Sequence, residues 1–141
     1  MKIKIKKLYE DIQLPAYNKP GDAGLDLRSY EAKILKPGER YCFKTGLAFE
    51  IPEGYVGLVW DRSGMALKEG LKTMAGVVDS GYRGEIGVVA LNTSDKDVVV
   101  EKNDRIAQIL IQSVERAEIE EVEELTNSAR GEGGFGASGK Q

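Results

Sequence analysis

Short apolar runs separated by glycine and proline recur along the whole chain, with a strand period and not a helical one. Ile3, Ile5 and Leu8 alternate with lysines, as in an edge strand guarded by charge. After a loop through Pro15, Pro20 and Gly21, Leu25 and Leu27 share one face of a short strand and Asp26 with Arg28 takes the other. Ile34-Leu35, Tyr41 to Ile51 with Gly46 inside it, and Tyr55 to Trp60 follow, divided by turns at Pro37-Gly38 and Pro52-Glu53-Gly54. Gly76 to Asp79 and Glu85 to Leu91 read as arms of a central hairpin, turned at Ser80-Gly81 because glycine takes positive φ. Asp79 and Tyr82 then face each other across its mouth. Val98 to Val100 and Arg105 to Ile111 complete the set. The one helical stretch is Met65 to Glu69, with Ser63 placed to cap it and Gly70 to stop it. Turn signals about every ten residues are the rhythm of a sandwich or closed barrel, so the fold class is all-β with one short helix.

Composition narrows the chemistry. A chain of 141 residues and 15.4 kDa makes a single domain. It divides into a body over residues 1–128 and a glycine-rich arm over residues 129–141. The net charge is only -3, with 20 Lys+Arg scattered against 23 Asp+Glu, which offers no basic face to a nucleic acid. There is no histidine. Histidine zinc sites and Ser-His or Cys-His couples are therefore excluded, carboxylates must do any acid-base work, and a metal would be a hard one such as magnesium. Cys42 is the only cysteine and reads as an inert strand thiol in a reducing compartment. The lysine-rich start has no apolar stretch behind it, so neither a signal peptide nor a membrane span is expected, and the setting reads as cytoplasmic.

Several polar groups are not explained by packing. Arg62-Ser63-Gly64 ahead of a helix is suited to an anion, although a capped helix with a surface arginine explains it equally. Gln108 interrupts an apolar strand, where a buried amide needs partners. The arm carries Arg130, Phe135 and Ser138 among glycines and has the makings of a lid, or of a plain mobile terminus. Within it, Gly134 to Lys140 fits a phosphate-loop spacing, but Gln141 stands where a hydroxyl is required, and the match is rejected.

Five segments, Ala23 to Ser29, Arg62 to Leu67, Gly76 to Glu85, Asn103 to Ile109 and Arg130 to Gly139, resemble in order the five motifs of the trimeric deoxyuridine triphosphatases (dUTPases). The resemblance implies a distorted jelly-roll or β-barrel subunit in a homotrimer with sites at the subunit junctions. It also implies magnesium-dependent hydrolysis of dUTP to dUMP and pyrophosphate, by water attack on the α-phosphorus. Asp79 would be the base, and Asp26 would hold a magnesium-bound water. Tyr82 would pack under the sugar and exclude a ribose hydroxyl, while main chain from Thr73 through Gly76, Val77 and Val78 would read uracil. Arg62, Ser63, Gly64 and Gln108 would bind phosphates and Arg130 the γ-phosphate. Phe135 would close over the base, with Gly136 and Ser138 beside it. Arg83 and Glu85 look like structural ion-pair residues.

Four departures stand out. Asp61 replaces the usual proline, which would loosen the turn and set a negative charge near phosphate. Asn103 replaces a glycine, tolerable if left-handed. Ala137 replaces a serine, and Thr73 stands where many bacterial members carry asparagine, which shifts base recognition toward main chain. Three rival readings are weaker. A dCTP deaminase would need a glutamate motif after the central hairpin, which is missing. A nucleotide-binding sensor without activity would have lost its chemistry, against which Asp79, Arg62 and Arg130 are all present, and a single-strand-binding barrel would need clustered aromatics.

Overall fold

The alternation along the chain produces ten strands, and the computed structural model describes residues 1–134. They are β1 Lys4–Lys7, β2 Leu25–Arg28, β3 Lys33–Leu35, β4 Arg40–Glu50, β5 Tyr55–Asp61, β6 Leu71–Met74, β7 Val77–Val78, β8 Glu85–Asn92, β9 Val98–Val100 and β10 Arg105–Ser113. Two four-stranded antiparallel sheets, ordered β1-β4-β8-β6 and β2-β10-β5-β7, are accompanied by a β3-β9 ladder. The fold is all-β, as the turn rhythm requires. No helix among the described residues is long and apolar enough to cross a membrane.

Period-two burial drives this packing. Leu25 and Leu27 of β2 are buried while Asp26 and Arg28 are half-buried, and Leu71 and Thr73 of β6 turn in while Lys72 and Met74 turn out. Leu27, Leu35, Phe43, Phe49, Ile86, Val88, Ile106 and Ile109 meet in one core. Full burial of side chains of this size stabilises by roughly 1.5–3 kcal/mol each. β1 is the edge strand its lysines predict, and Asn103 is left-handed at φ 73. Cys42 lies in β4 as read, but exposed. Beyond Ser113 the glutamate-rich segment is exposed and forms no strand.

Gly46 breaks the alternation of β4. Its φ of 68 is left-handed, and the β4–β8 register shifts between Lys44 and Ala48 around it. A glycine-centred bulge of this kind bends the strand. Glu85 fixes it by accepting the Gly46 N–H through Oε1 at 2.7 Å.

The central hairpin is not there. β7 pairs with β5, matching Val78 to Gly57, while β8 pairs with β4 and β6. Residues 79–84 therefore carry the chain from one sheet to the other. Gly81 is not left-handed; the positive φ values lie upstream, at Ala75 (62) and Gly76 (139). The helix also differs from expectation. Met65–Glu69 is wound wide, with the Gly70 N–H reaching the Met65 carbonyl, and the cap position falls on Gly64 with no side-chain cap bond. Such wide single turns are frequent at functional sites.

Gly46→Ala forces a left-handed alanine and drives its Cβ into the Ile12 side chain. It lowers unfolding free energy by about 2 kcal/mol, measurable by thermal or urea unfolding.

Candidate active site

The place of β10 between β2 and β5 builds the first half of the site. In that register Gln108 lies opposite Asp26 on one side and Trp60 on the other, one residue before Asp61. Three segments distant in sequence thus line a polar cavity of about 210 Å³, which includes Gly24, Asp26, Arg62, Ser63, Gly64 and Gln108. Asp26 is the hinge of its charge. Its Oδ1 accepts from Arg62 Nε at 3.0 Å and its Oδ2 from Arg105 Nη1 at 3.1 Å. Arg62 Nη1 also donates to the Arg105 carbonyl at 3.1 Å, and Gln108 Nε2 to the Asp61 carbonyl at 2.8 Å. The cavity floor is therefore held rigidly by charged hydrogen bonds. A guanidinium carries five donors, so Arg62 still has some for a ligand.

The second half is a cavity of about 230 Å³ against β7, lined by Val59, Ala75, Gly76, Val77, Val78, Asp79 and Tyr82 among others. Gly76 has to be glycine. A Cβ there would sit 2.7 Å from the Val59 carbonyl oxygen, while its own carbonyl accepts the Val59 N–H at 2.8 Å. The Tyr82 N–H closes the turn onto the Asp79 carbonyl at 3.0 Å, and the Tyr82 hydroxyl donates to the Glu85 carbonyl at 3.0 Å. This fixes the ring while leaving it 47% exposed. The Asp79 carboxylate is exposed and accepts no hydrogen bond among the described residues. A carboxylate so placed is available to water. The two cavities share no lining residue.

A family profile described as dUTPase matches residues 10–139. The deoxyuridine 5'-triphosphate nucleotidohydrolase of Nautilia profundicola is 50% identical over 142 residues, covering 99% of this chain and 100% of its own. That of Thermobifida fusca is 49% identical over 142 residues, covering 99% of this chain and 79% of its own. A structure of the dUTPase of Staphylococcus bacteriophage 80alpha with dUpNHpp superposes with a TM-score of 0.89 at 34% identity, covering 98% of each chain. The chain belongs to the dUTPase family.

Against that family's motifs, the fold gathers Asp26, Arg62, Ser63, Gly64 and Gln108 into one cavity and Gly76, Val77, Val78, Asp79 and Tyr82 into the other. Thr73 lines neither. Its N–H and its hydroxyl both donate to Asp61 Oδ1, at 2.6 Å each. Arg130 is brought to neither half; it turns back on the Gly133 carbonyl at 2.6 Å. Phe135, Gly136 and Ser138 lie outside the described residues. Arg83 and Glu85 do not pair with each other. Arg83 donates to the Ser80 and Tyr82 carbonyls, and Glu85 holds Gly46.

The charge expected of Asp61 beside phosphate is also corrected. Its Oδ2 takes Lys72 Nζ at 2.6 Å, and it is absent from the polar cavity's lining. Burial is the largest single influence on this carboxyl and acts to raise its pKa. The Lys72 ammonium and the Thr73 hydroxyl and N–H together outweigh burial and hold the pKa below the ordinary aspartate value. Arg105 was missed by sequence reading. Its signal was its place in the same segment as Gln108, whose register with β2 brings it to Asp26.

A depressed folded pKa contributes stability that is fully present above the unfolded value and lost as pH falls through the folded one. Asp61→Asn therefore unfolds about 1 kcal/mol more easily than the parent at neutral pH. The gap closes in acid below the ordinary aspartate range, as urea midpoints on both sides of it will show.

Proposed function

We propose that the two cavities are the phosphate and base halves of a site that hydrolyses dUTP to dUMP and pyrophosphate, and that each site is completed between chains of a homotrimer. The observation that carries this reading is the split itself: a guanidinium-lined polar cavity and an exposed carboxylate beside a fixed tyrosine ring, with no lining residue in common.

A triphosphate is strongly anionic, so its hydrolysis needs neutralisation and positioning more than covalent help. The spare donors of Arg62, the Ser63 hydroxyl, the Gly64 main chain and the Gln108 amide hold its oxygens. Asp79 accepts a proton from the water that attacks the α-phosphorus. As the new P–O bond forms, the bond from α-phosphorus to the bridging oxygen breaks, and pyrophosphate leaves with that oxygen. The face of Tyr82, fixed through its hydroxyl, lies under the sugar and leaves no room for a 2′-hydroxyl. Main chain of Gly76, Val77 and Val78 reads the uracil edge. Thr73, with its N–H already engaged, supports that stretch from behind. Residues 129–141 act as the closing arm, Arg130 on the γ-phosphate, Phe135 over the base, and Gly136 and Ser138 beside the phosphates.

Magnesium fits as a guest of the substrate. No cluster of three or more His, Cys, Asp or Glu side chains suited to a metal stands among the described residues, and Asp26 is already bonded by Arg62 and Arg105. Asp26 would hold the ion through a water of its shell, where magnesium would supply charge neutralisation to the phosphate oxygens. A related variant, the dUTPase of phage phi11 of S. aureus, 29% identical with a TM-score of 0.84, coordinates a structural Mg(II) ion, which supports magnesium as the metal but not its place on the substrate.

The trimer is supported by an apolar face. Trp60 is 55% exposed and Val77 70% exposed, around a shallow cavity of about 530 Å³ that also takes in Leu58. Apolar patches of this kind favour burial against another chain. A cytoplasmic setting suits the single unpaired cysteine, Cys42.

Asp79→Asn lowers kcat by about 10²- to 10⁴-fold while still binding an imido analogue of dUTP with parental affinity, read by steady-state kinetics and calorimetry. Parental turnover in that variant places the base elsewhere. Removing residues 130–141 abolishes turnover but leaves the melting temperature unchanged, and the particle still weighs three times the mass of one truncated chain by light scattering.

A further inference from the structure

We propose that Asp61 is a positioning residue for the dUTP reaction, a clip that holds the base-side segment Thr73–Gly76 against the strand leading into the phosphate-binding turn. The proposal rests on the assignment of the two cavities made above. β6 is the outer strand of its sheet, and β5 belongs to the other. The Asp61 carboxylate crosses from one to the other. Its Oδ1 takes the outward N–H and the hydroxyl of Thr73, and its Oδ2 takes Lys72 Nζ, all at 2.6 Å.

Three residues on, the Val59 N–H holds the Gly76 carbonyl at 2.8 Å. Thr73–Gly76 is thus fastened to β5 at both ends, and between the fasteners Ala75 is kept left-handed at φ 62. A non-glycine residue in that conformation persists only where its surroundings enforce it. The same aspartate reaches the other half-site through its main chain, since its carbonyl receives Gln108 Nε2 and its successor is Arg62. The carboxylate is three-quarters buried, with 23% of its side chain exposed, so these donors are not easily replaced by water.

Loosening this clip frees the base-side main chain but leaves Asp26, Arg62 and Arg105 in place. The full-length protein and its Asp61→Ala, Asp61→Asn, Thr73→Val and Asp61→Ala/Thr73→Val variants test this with three readouts: dUTP kinetics, inhibition by dUMP, and inhibition by inorganic triphosphate. All are read well below each variant's melting temperature. Asp61→Ala raises the KM for dUTP and the dUMP inhibition constant about tenfold, the scale of a lost charged hydrogen bond. kcat and triphosphate inhibition stay within about twofold, the signature of lost ground-state binding confined to the base side. Asp61→Asn, which keeps an oxygen for the Thr73 N–H, recovers part of the loss. Thr73→Val weakens dUMP in the parent but adds nothing in Asp61→Ala.

An unchanged KM in Asp61→Ala, an equal weakening of triphosphate, or additive effects of the two substitutions overturns the proposal. Should Asp61→Ala fail to fold, unchanged dUMP inhibition in both Asp61→Asn and Thr73→Val does so. Tyr82→Ala separates two kinds of failure. dUMP binding lost in Tyr82→Ala but kept in Asp61→Ala overturns the clip alone, whereas binding kept in both overturns the base-side assignment as well.

Discussion

The pairing of β10 with two partners at once is the constraint on which the site depends. A strand with neighbours on both edges has its register fixed twice, and a slip of one residue would turn every side chain to the wrong face. Held there, Gln108 is level with Asp26 and one residue from Asp61, while Arg105 reaches Asp26 from the strand's start. These residues come from three segments far apart in sequence, around Asp26, around Asp61 and from Arg105 to Gln108. The charged hydrogen bonds then finish what the ladder begins, because Asp26 occupies one edge of each of two guanidiniums and so orients the donors that remain.

Much of this could be read from the chain before its structure. Alternation of Leu25, Asp26, Leu27 and Arg28 reports a strand with one buried face, because period-two burial is a local property. The missing histidines restrict the chemistry wherever the chain goes. What was misread depends on tertiary pairing. Val77-Val78 and Glu85 to Leu91 look like hairpin arms, since sequence shows two strands and a turn but not which sheet each enters. The positive φ was assigned to Gly81 on turn preference, whereas the close approach of Val59 demands it at Gly76. Ser63 has capping chemistry that a widely wound turn has no use for. Asp61 was legible as a charge, but its partner Lys72 lies on an adjacent sheet.

Separation of the halves gives the fold a division of labour. The polar cavity is made rigid by the ion pairs of Asp26 with Arg62 and Arg105, where β2, β10 and β5 lie side by side. The cavity against β7 sits where the chain crosses between sheets, on a two-residue strand with a left-handed alanine before it. β7 is the outer strand of its sheet, so the N–H and C=O groups on its free edge are not consumed by a ladder, and reading a base edge through main chain would need such groups. Such a segment is also the least able to hold its own shape.

Under the proposed assignment, that weakness would explain why position 73 need not carry a base-reading side chain. A threonine hydroxyl and N–H that donate to one carboxylate oxygen are spent as donors, and at 7% exposure Thr73 has little surface left to offer a ligand. A side chain that reads the base from a loose strand gains less than a main chain that reads it from a fixed one, because ordering the strand consumes binding free energy. A proline at position 61 would stiffen only its own turn, whereas the aspartate ties the neighbouring strand to β5. Under the proposed assignment, recognition would rest on the backbone of Gly76, Val77 and Val78, and the electrostatic tie of Asp61 to Thr73 and Lys72 would be what makes that workable.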